Sequence, residues 1–497
     1  MGTRGSVHNM FVVGFVLVSI MVMLACQAVQ PMPTAEDAMP EATEPAPVAA
    51  GIVPEPIPAG FDFPTDRNAL QKLVDANDVP AMRHHGWNLW AGMTSDSNSS
   101  LRGATLPVWE TWLATAATFN GPPANEAEIA QAPKREFVQP AQFAHNTVPD
   151  SQAEMMVVGF NKFNPAMVDY IWSPHQSPNL PGRELLYYSQ QSLTALNDAW
   201  PASTAIADRK VQDAPQYAME LKPVFMWVSA TKPTALPFWQ GPSASTDPNC
   251  APGVLGSIDD LKDPTGKPVP PCQPTSNTWT HCTILDPDAA GTPLSPATEE
   301  QFAAADLSQA TSCTVENALY GSLDLIYHFE LDETEAGAMS ALQPFAGNVA
   351  AGDYGVLVAI HVNTKEIEEW TWQTYWWQGG TSPPDNFPGD LANMTDNVQG
   401  PWRNYAMCTA YSQTTAPGNQ GQMNVCFNPY LEPSLPDGIR SNCVTCHSMA
   451  RFPNPGEASP EDYPQDYAQP VDYGDPAIFG GNTKTDFSWA VAEKAGP

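Results

Sequence analysis

The stretch Ser441–Phe452 reads SNCVTCHSMARF. Cys443 and Cys446 stand three positions apart, and His447 follows at once. Thiols and an imidazole at this spacing suit three chemistries: a redox dithiol, part of a zinc site, or covalent attachment of a haem. A thioredoxin-type dithiol belongs to a βαβ unit. This motif instead lies near the end of the chain, behind Pro-rich sequence, with no such unit after it. Zinc needs two further ligands at close spacing, and no Cys or His follows His447. Covalent haem needs less: two thiols to add across the porphyrin vinyl groups and an imidazole on the same side. Cys443 and His447, four apart, share one face of a helix. The expectation is one covalently bound haem c, with Cys443 and Cys446 as attachment residues and His447 as proximal iron ligand.

What a haem does turns on the other side of its iron. Met449 is two residues from His447 and points to a different side of the helix, and no His or Met follows it. A distal ligand must therefore come from upstream. The candidates are His84, His85, His145, His175, His328, His361, Met407 and Met423, and an open distal position is the remaining alternative. His361 stands out. Strand alternation puts Gly355, Leu357, Ala359 and His361 on one face, less crowded than the face bearing Val356, Val358, Ile360 and Val362. Its bland alternative is a core imidazole bonded to backbone.

The chain opens MGTRGSVHNMFVVGFVLVSIMVMLAC. Arg4 supplies a positive start, and Phe11 to Leu24 is an apolar run of signal-peptide length, short for a membrane span. The ending MLAC resembles a bacterial lipoprotein cleavage site, with Cys26 as the lipidated residue. Gln27 is not the Asp that marks inner-membrane retention in such proteins. The expectation is an exported, outer-membrane lipoprotein facing the periplasm or the cell surface, anchored to lipid through Cys26. Residues 1–26 are then the signal segment. Residues 27–60, rich in Pro, Ala and Glu, read as a semi-extended tether.

Hydrophobic residues make up 42% of the chain and charged residues 15%, enough apolar material for a large core. The formal net charge of -33 argues against nucleic acid and against an anionic membrane face, and would steer a basic partner protein. With 52 Pro and 33 Gly, the chain reads as strands joined by long irregular loops rather than as a helical bundle. The fold class expected is mixed α+β: β-rich, with a few short helices and a C-terminal haem-bearing helix packed on a large β-containing domain.

Nine cysteines are present. Setting aside Cys26, Cys443 and Cys446 leaves Cys250, Cys272, Cys282, Cys313, Cys408 and Cys426, which in an exported chain read as three disulfides. Cys408 and Cys426 flank a Gly/Gln-rich turn and are expected to pair. The other four lie in a loop-like insertion, about 249–313, whose sparse apolar pattern needs cross-links.

Along the chain, PTDRNALQKLVDANDVP reads as a short helix capped by Thr65 and ended before Pro80. The spacings Trp87/Trp90 and Trp109/Trp112 suit helical faces. EMMVVGF and YAMELKPVFMWV read as strands. Tyr354 to Val362, the turn NTKE and the alternating WTWQTYWW read as strand, turn and strand, with Trp370, Trp372 and Trp376 on one face.

The motif resembles those of c-type cytochromes. More specifically, AIHVNTKEIEEWTWQTYWW, FNKFNPAMVDYIW, AMELKPVFMW, FNPYLE, SNCVTCHSMA and TDFSWAVAEKA make the chain similar, from about Met155 onward, to a largely uncharacterised group of bacterial single-haem cytochrome c family proteins. It departs at Trp376-Trp377, where the group often has Glu-His, and in the added insertion. The resemblance implies a haem protein and no particular substrate. Residues 61–430 are expected to form the large domain and 431–497 the haem-binding segment. Three functions follow: a tethered electron-transfer protein with a redox partner; a peroxidase-like haem enzyme or small-ligand sensor with an open distal site; or a ligand- or sugar-binding module with accessory haem, its Trp stripe the binding surface.

Overall fold

The computed structural model describes residues 52–140, 157–239, 279–343, 349–381, 391–413, 426–432, 442–454 and 470–496. The chain divides into two units, Met1–Ala49 and Ala50–Pro497, and every described residue belongs to the second. The expected signal segment, Cys26, Cys250, Cys272, His145 and Met423 lie outside the described residues.

In chain order the elements are α1 (Arg67–Ala76), α2 (Val79–Met93), β1 (Asp96–Leu101), β2 (Ala104–Pro107), β3 (Leu113–Ala114), α3 (Thr115–Phe119), α4 (Glu126–Gln131), β4 (Val158–Gly159), β5 (Lys162–Phe163), α5 (Pro165–Trp172), α6 (Gln190–Asp198), β6 (Met219–Val228), β7 (Thr234–Phe238), β8 (His281–Asp286), β9 (Ser295–Pro296), α7 (Glu299–Ala304), β10 (Ala318–Ser322), β11 (His328–Glu330), α8 (Glu333–Leu342), β12 (Tyr354–Thr364), β13 (Thr371–Trp377), β14 (Tyr405–Ala410), α9 (Cys443–His447), β15 (Arg451–Phe452), α10 (Pro476–Phe479), β16 (Thr483–Lys484) and α11 (Trp489–Lys494). The class is mixed α+β with several sheets, as expected. Among the described residues no helix is long and apolar enough to cross a membrane.

The central sheet runs β14-β13-β12-β6-β5-β3, with β11 also on β12 and β4 also on β6. Its inner strands are covered on both faces, which is why β12 and β13 read as nearly continuous apolar sequence. One face carries α2. Tyr375 Oη donates to the Gly86 carbonyl, and a Cβ at Gly86 would meet Gln373 Cγ at 3.1 Å, so glycine lets the helix lie close. Trp90 stacks on Tyr375 at 4.2 Å between ring centres. The opposite face carries α9 and the last part of the chain.

Several local expectations need correction. Asp66, not Thr65, caps α1, because its carboxylate accepts from Ala69 N (2.9 Å) while Thr65 Oγ1 donates to Asp62 O. Pro80 does follow the end of α1, as expected, and it also lies in the first turn of α2, where its missing N–H costs least. Trp109 and Trp112 are buried, but in and just after a 3-10 turn (Val108–Thr111). The described part of the supposed loop-like insertion, 279–313, contains β8, β9 and α7, and β8 is an inner strand of a four-stranded sheet in the order β7-β8-β10-β9. Its short apolar run CTIL is buried there, and a Cys282–Cys313 disulfide ties the strand down. Trp370 precedes β13 with φ 62° and does not continue its alternation.

The facing pattern along β12 also differs. Leu357 pairs with Phe225 and Ala359 with Val224, so β12 advances two residues while β6 advances one. This bulge puts Gly355 and Leu357 on the opposite face from Ala359 and His361.

Candidate functional site

His361 pairs directly with Lys222 of β6 and with Thr374 of β13, and Thr374 pairs with Cys408 of β14. Directly opposed residues in an antiparallel sheet share a face. Lys222, His361, Thr374 and Cys408 therefore form one row across four strands, and Glu220, Asn363, Trp372 and Ala410 form the next.

Segment 426–432 lies over that row. A disulfide joins Cys426 to Cys408, the pairing read from the sequence. Asn428 Nδ2 donates to Thr374 Oγ1 (2.6 Å) and to the Tyr375 carbonyl (3.2 Å). His361 Nε2 donates to Glu432 Oε1 (2.8 Å), and Glu432 Oε2 accepts from Asn428 N (2.6 Å).

The helical turn α9 sits beside this segment. Asn442 caps it by accepting from Thr445 N (3.0 Å), and its amide donates to the Ser412 carbonyl. Cys443 and Cys446 are free thiols, and Cys443 Sγ is 3.9 Å from the Cys426 carbonyl oxygen. The His447 ring lies 4.2 Å from that of Trp372. His447 Nδ1 donates to the Phe487 carbonyl (3.0 Å), which leaves Nε2 as the electron-pair donor. Burial lowers the His447 pKa to about 3, with the charges of His361 and Lys222 adding to the effect, so the imidazole is neutral at ordinary pH.

The Phe487 carbonyl is aimed by an unusual backbone. Asp486 and Phe487 have φ of 50° and 67°, a left-handed conformation costly for non-glycine residues. Buried side chains hold it. Lys365 Nζ meets Asp486 Oδ1 at 2.5 Å, Asp486 Oδ2 accepts from Ala214 N, and Ser488 Oγ donates to Glu220 Oε1.

Exposure singles out the same place. Every residue of β6 is buried except Lys222, and past its first residue β12 is buried except at His361. Glu432, Cys443, Cys446 and His447 are half-buried as well. All six lie close enough to act on one another: the charges of His361 and Lys222 reach His447, and those of Glu432 and Lys222 reach Cys446. Burial pushes the Cys446 thiol up to about 12 and Cys443 well above its usual range, and the Glu432 carboxylate pushes both the same way. A redox dithiol depends on the opposite shift. Two thiols outside any disulfide on one helical turn, and a neutral imidazole with one nitrogen committed among the described residues, are the donors that covalent haem requires.

The other upstream candidates lie elsewhere. His84 and His85 are on α2, over the opposite face, where they line a cavity of about 500 Å³ with Asp62, Asp66 and Asn88. His85 is buried between Tyr411 and Glu366. Both His175 nitrogens are engaged, by Gln212 and the Tyr170 carbonyl. His328 Nδ1 meets the Ile326 carbonyl in β11. Met407 touches the α2 side, near Gly86. Met449 packs under Cys446 with Val471, Ile478 and Trp489. Trp370, Trp372 and Trp376 are buried rather than presented as a binding surface.

Lys222, Glu432 and the Phe487 carbonyl were not foreseen as parts of the site, and Trp372, expected on a binding stripe, instead lies against the His447 ring. The stretches FNPYLE and TDFSWAVAEKA, which carry part of the resemblance, contain Glu432 and Phe487. No protein-family model matches the chain, and neither the curated proteins nor the solved structures contain a significant match.

Proposed function

We propose that the protein is an exported single-haem c-type cytochrome, a member of the largely uncharacterised group it resembles, and that it transfers electrons while tethered to the outer membrane through Cys26. The observation that carries this reading is the placement of two free thiols, Cys443 and Cys446, on one helical turn with His447, whose Nδ1 is held by the Phe487 carbonyl. When bound, a haem supplies one-electron exchange between ferric and ferrous iron. The two thiols would hold it covalently, and His447 Nε2, left free of the Phe487 bond, would bind its iron. His361, close enough for its charge to act on His447, is the candidate distal ligand. The sheet and the 3.0 Å bond to Phe487 keep the His447 ring from turning. The acidic surface favours a basic redox partner.

A second reading is favoured by one observation. His361, Glu432 and Lys222 form a charged group beside the motif. With iron open on that side, the protein would be a haem enzyme of peroxidase-like type or a small-ligand sensor, and His361 its acid–base group.

Expression with the haem c maturation machinery tests both. The expected product gains the mass of one haem and gives a c-type haemochrome in pyridine. Cys443→Ser with Cys446→Ser removes both signals. An unmodified wild-type chain sinks the haem reading. A low-spin ferric spectrum insensitive to cyanide supports electron transfer, and a high-spin spectrum that shifts with cyanide supports the second reading. Globomycin is expected to shift the gel band of the precursor, as lipidation at Cys26 requires.

A further inference from the structure

We infer that Glu432 is a positioning residue for His361, and that the disulfide-anchored segment Cys426–Glu432 is the clasp that carries it. The inference rests on the haem reading above and adds a residue to it. His361 Nε2 lies 2.8 Å from Glu432 Oε1, and both side chains are largely withdrawn from water. Such a bond fixes the imidazole tautomer and ring plane, and makes the remaining nitrogen a stronger electron-pair donor. Glu432 is itself held, because its second oxygen accepts from Asn428 N at 2.6 Å. Asn428 is in turn bonded to Thr374, the cross-strand neighbour of His361. The clasp begins at Cys426, whose disulfide partner Cys408 belongs to the same row as His361 and Thr374. Glu432 alone touches the imidazole, and the two Asn428 bonds and the disulfide hold Glu432 in place over the same row of the sheet.

The groups facing this pair set its electrostatics. Lys222 pairs with His361 across the strands, and the charges of Glu432, Glu493 and Lys494 all act on it. A carboxylate on the imidazole favours the ferric state. Removing it should raise the midpoint potential and loosen the ring.

The test uses full-length protein with its haem attached, confirmed by mass and by pyridine haemochrome, and with folding checked by circular dichroism. Glu432→Ala is expected to let ferric protein capture cyanide about tenfold faster, at the low end of what supporting residues of metal ligands contribute. Glu432→Gln keeps an acceptor but loses the charge, so it should raise the potential with a smaller change in rate. In a His361→Ala background, Glu432→Ala should leave the capture rate unchanged. Two outcomes overturn the inference: a haem-loaded Glu432→Ala protein with wild-type rate and potential, or a rate increase that persists without His361. A wild-type chain that takes up no haem overturns the underlying reading instead, and the mass and pyridine measurements tell these failures apart.

Discussion

His447 Nδ1 donates to the carbonyl of Phe487, 40 residues further along the chain, at 3.0 Å. That carbonyl is presented by two consecutive left-handed residues, Asp486 and Phe487. The conformation persists because Asp486 is tied to Lys365 and to Ala214 N. The orientation of the imidazole therefore depends on an ion pair that touches neither His447 nor the thiols.

The first prediction concerns that pair. Lys365→Met leaves Asp486 buried without its cation, and losing one partner of a buried pair costs about 3–5 kcal/mol. Burial already raises the Asp486 pKa to about 6 with Lys365 in place. Without the lysine it rises further, so the folded protein holds a proton that the unfolded chain has released. The penalty then grows with pH above the ordinary carboxyl range. Urea denaturation should find the variant closer to wild type at pH 4.5 than at pH 8. An equal gap at both pH values would refute the pairing argument.

Glu220 gives a second pH signature. Burial raises its pKa from 4.5 to about 7, against the pull of hydrogen bonds from Ser488 and Asn363. A raised carboxyl pKa means that the folded state binds the proton more tightly, so this group's contribution falls as pH rises through 4.5 to 7. Glu220→Gln removes that dependence. Relative to wild type, the variant should gain up to about 3 kcal/mol between pH 4.5 and 7.5. Denaturation curves at the two pH values check this, and a wild-type slope retained by the variant would count against it.

The elements behind these contacts were legible to different degrees. The strands β12 and β13 could be read because buried central strands leave long apolar runs, and α2 because Trp87 and Trp90 repeat at helical spacing. Cys408–Cys426 could be read because the two residues are close in sequence. The His361–Glu432 contact could not, since it depends on which face His361 occupies after the Leu357/Ala359 bulge and on where a segment 71 residues away comes to rest. The Phe487 carbonyl was hidden for a different reason. Backbone groups carry no side-chain signature, and two left-handed residues without glycine give no turn signal. The sequence of β8 was read as loop because a short apolar run amid Pro and Gly has no decisive period.

A third prediction follows from the disulfide. Cys408–Cys426 closes a separation of 18 residues. Replacing both cysteines by alanine should cost about 3 kcal/mol on chain-entropy grounds. The clasp would also loosen, so the double variant should resemble Glu432→Ala in the rate at which its ferric haem captures cyanide. Thermal melts with and without reductant give the first quantity. If stability falls while the cyanide rate is unchanged, the disulfide serves the fold and not His361.

The last prediction decides between the two functional readings. His361 is the upstream candidate close enough for its charge to act on His447, whereas His85 and Met407 lie on the α2 side of the sheet and both nitrogens of His175 are occupied. If His361 is the distal ligand, His361→Ala should convert a low-spin ferric EPR spectrum to high-spin, and added imidazole should restore the low-spin form. The fold should survive, because β12 keeps its backbone pairing with β6 and β13 whichever side chain stands at this position. If His361 is instead an acid–base group, the wild-type spectrum is already high-spin. The variant then keeps it and loses the pH dependence of peroxide turnover. A low-spin spectrum unchanged by His361→Ala would exclude His361 as the distal ligand.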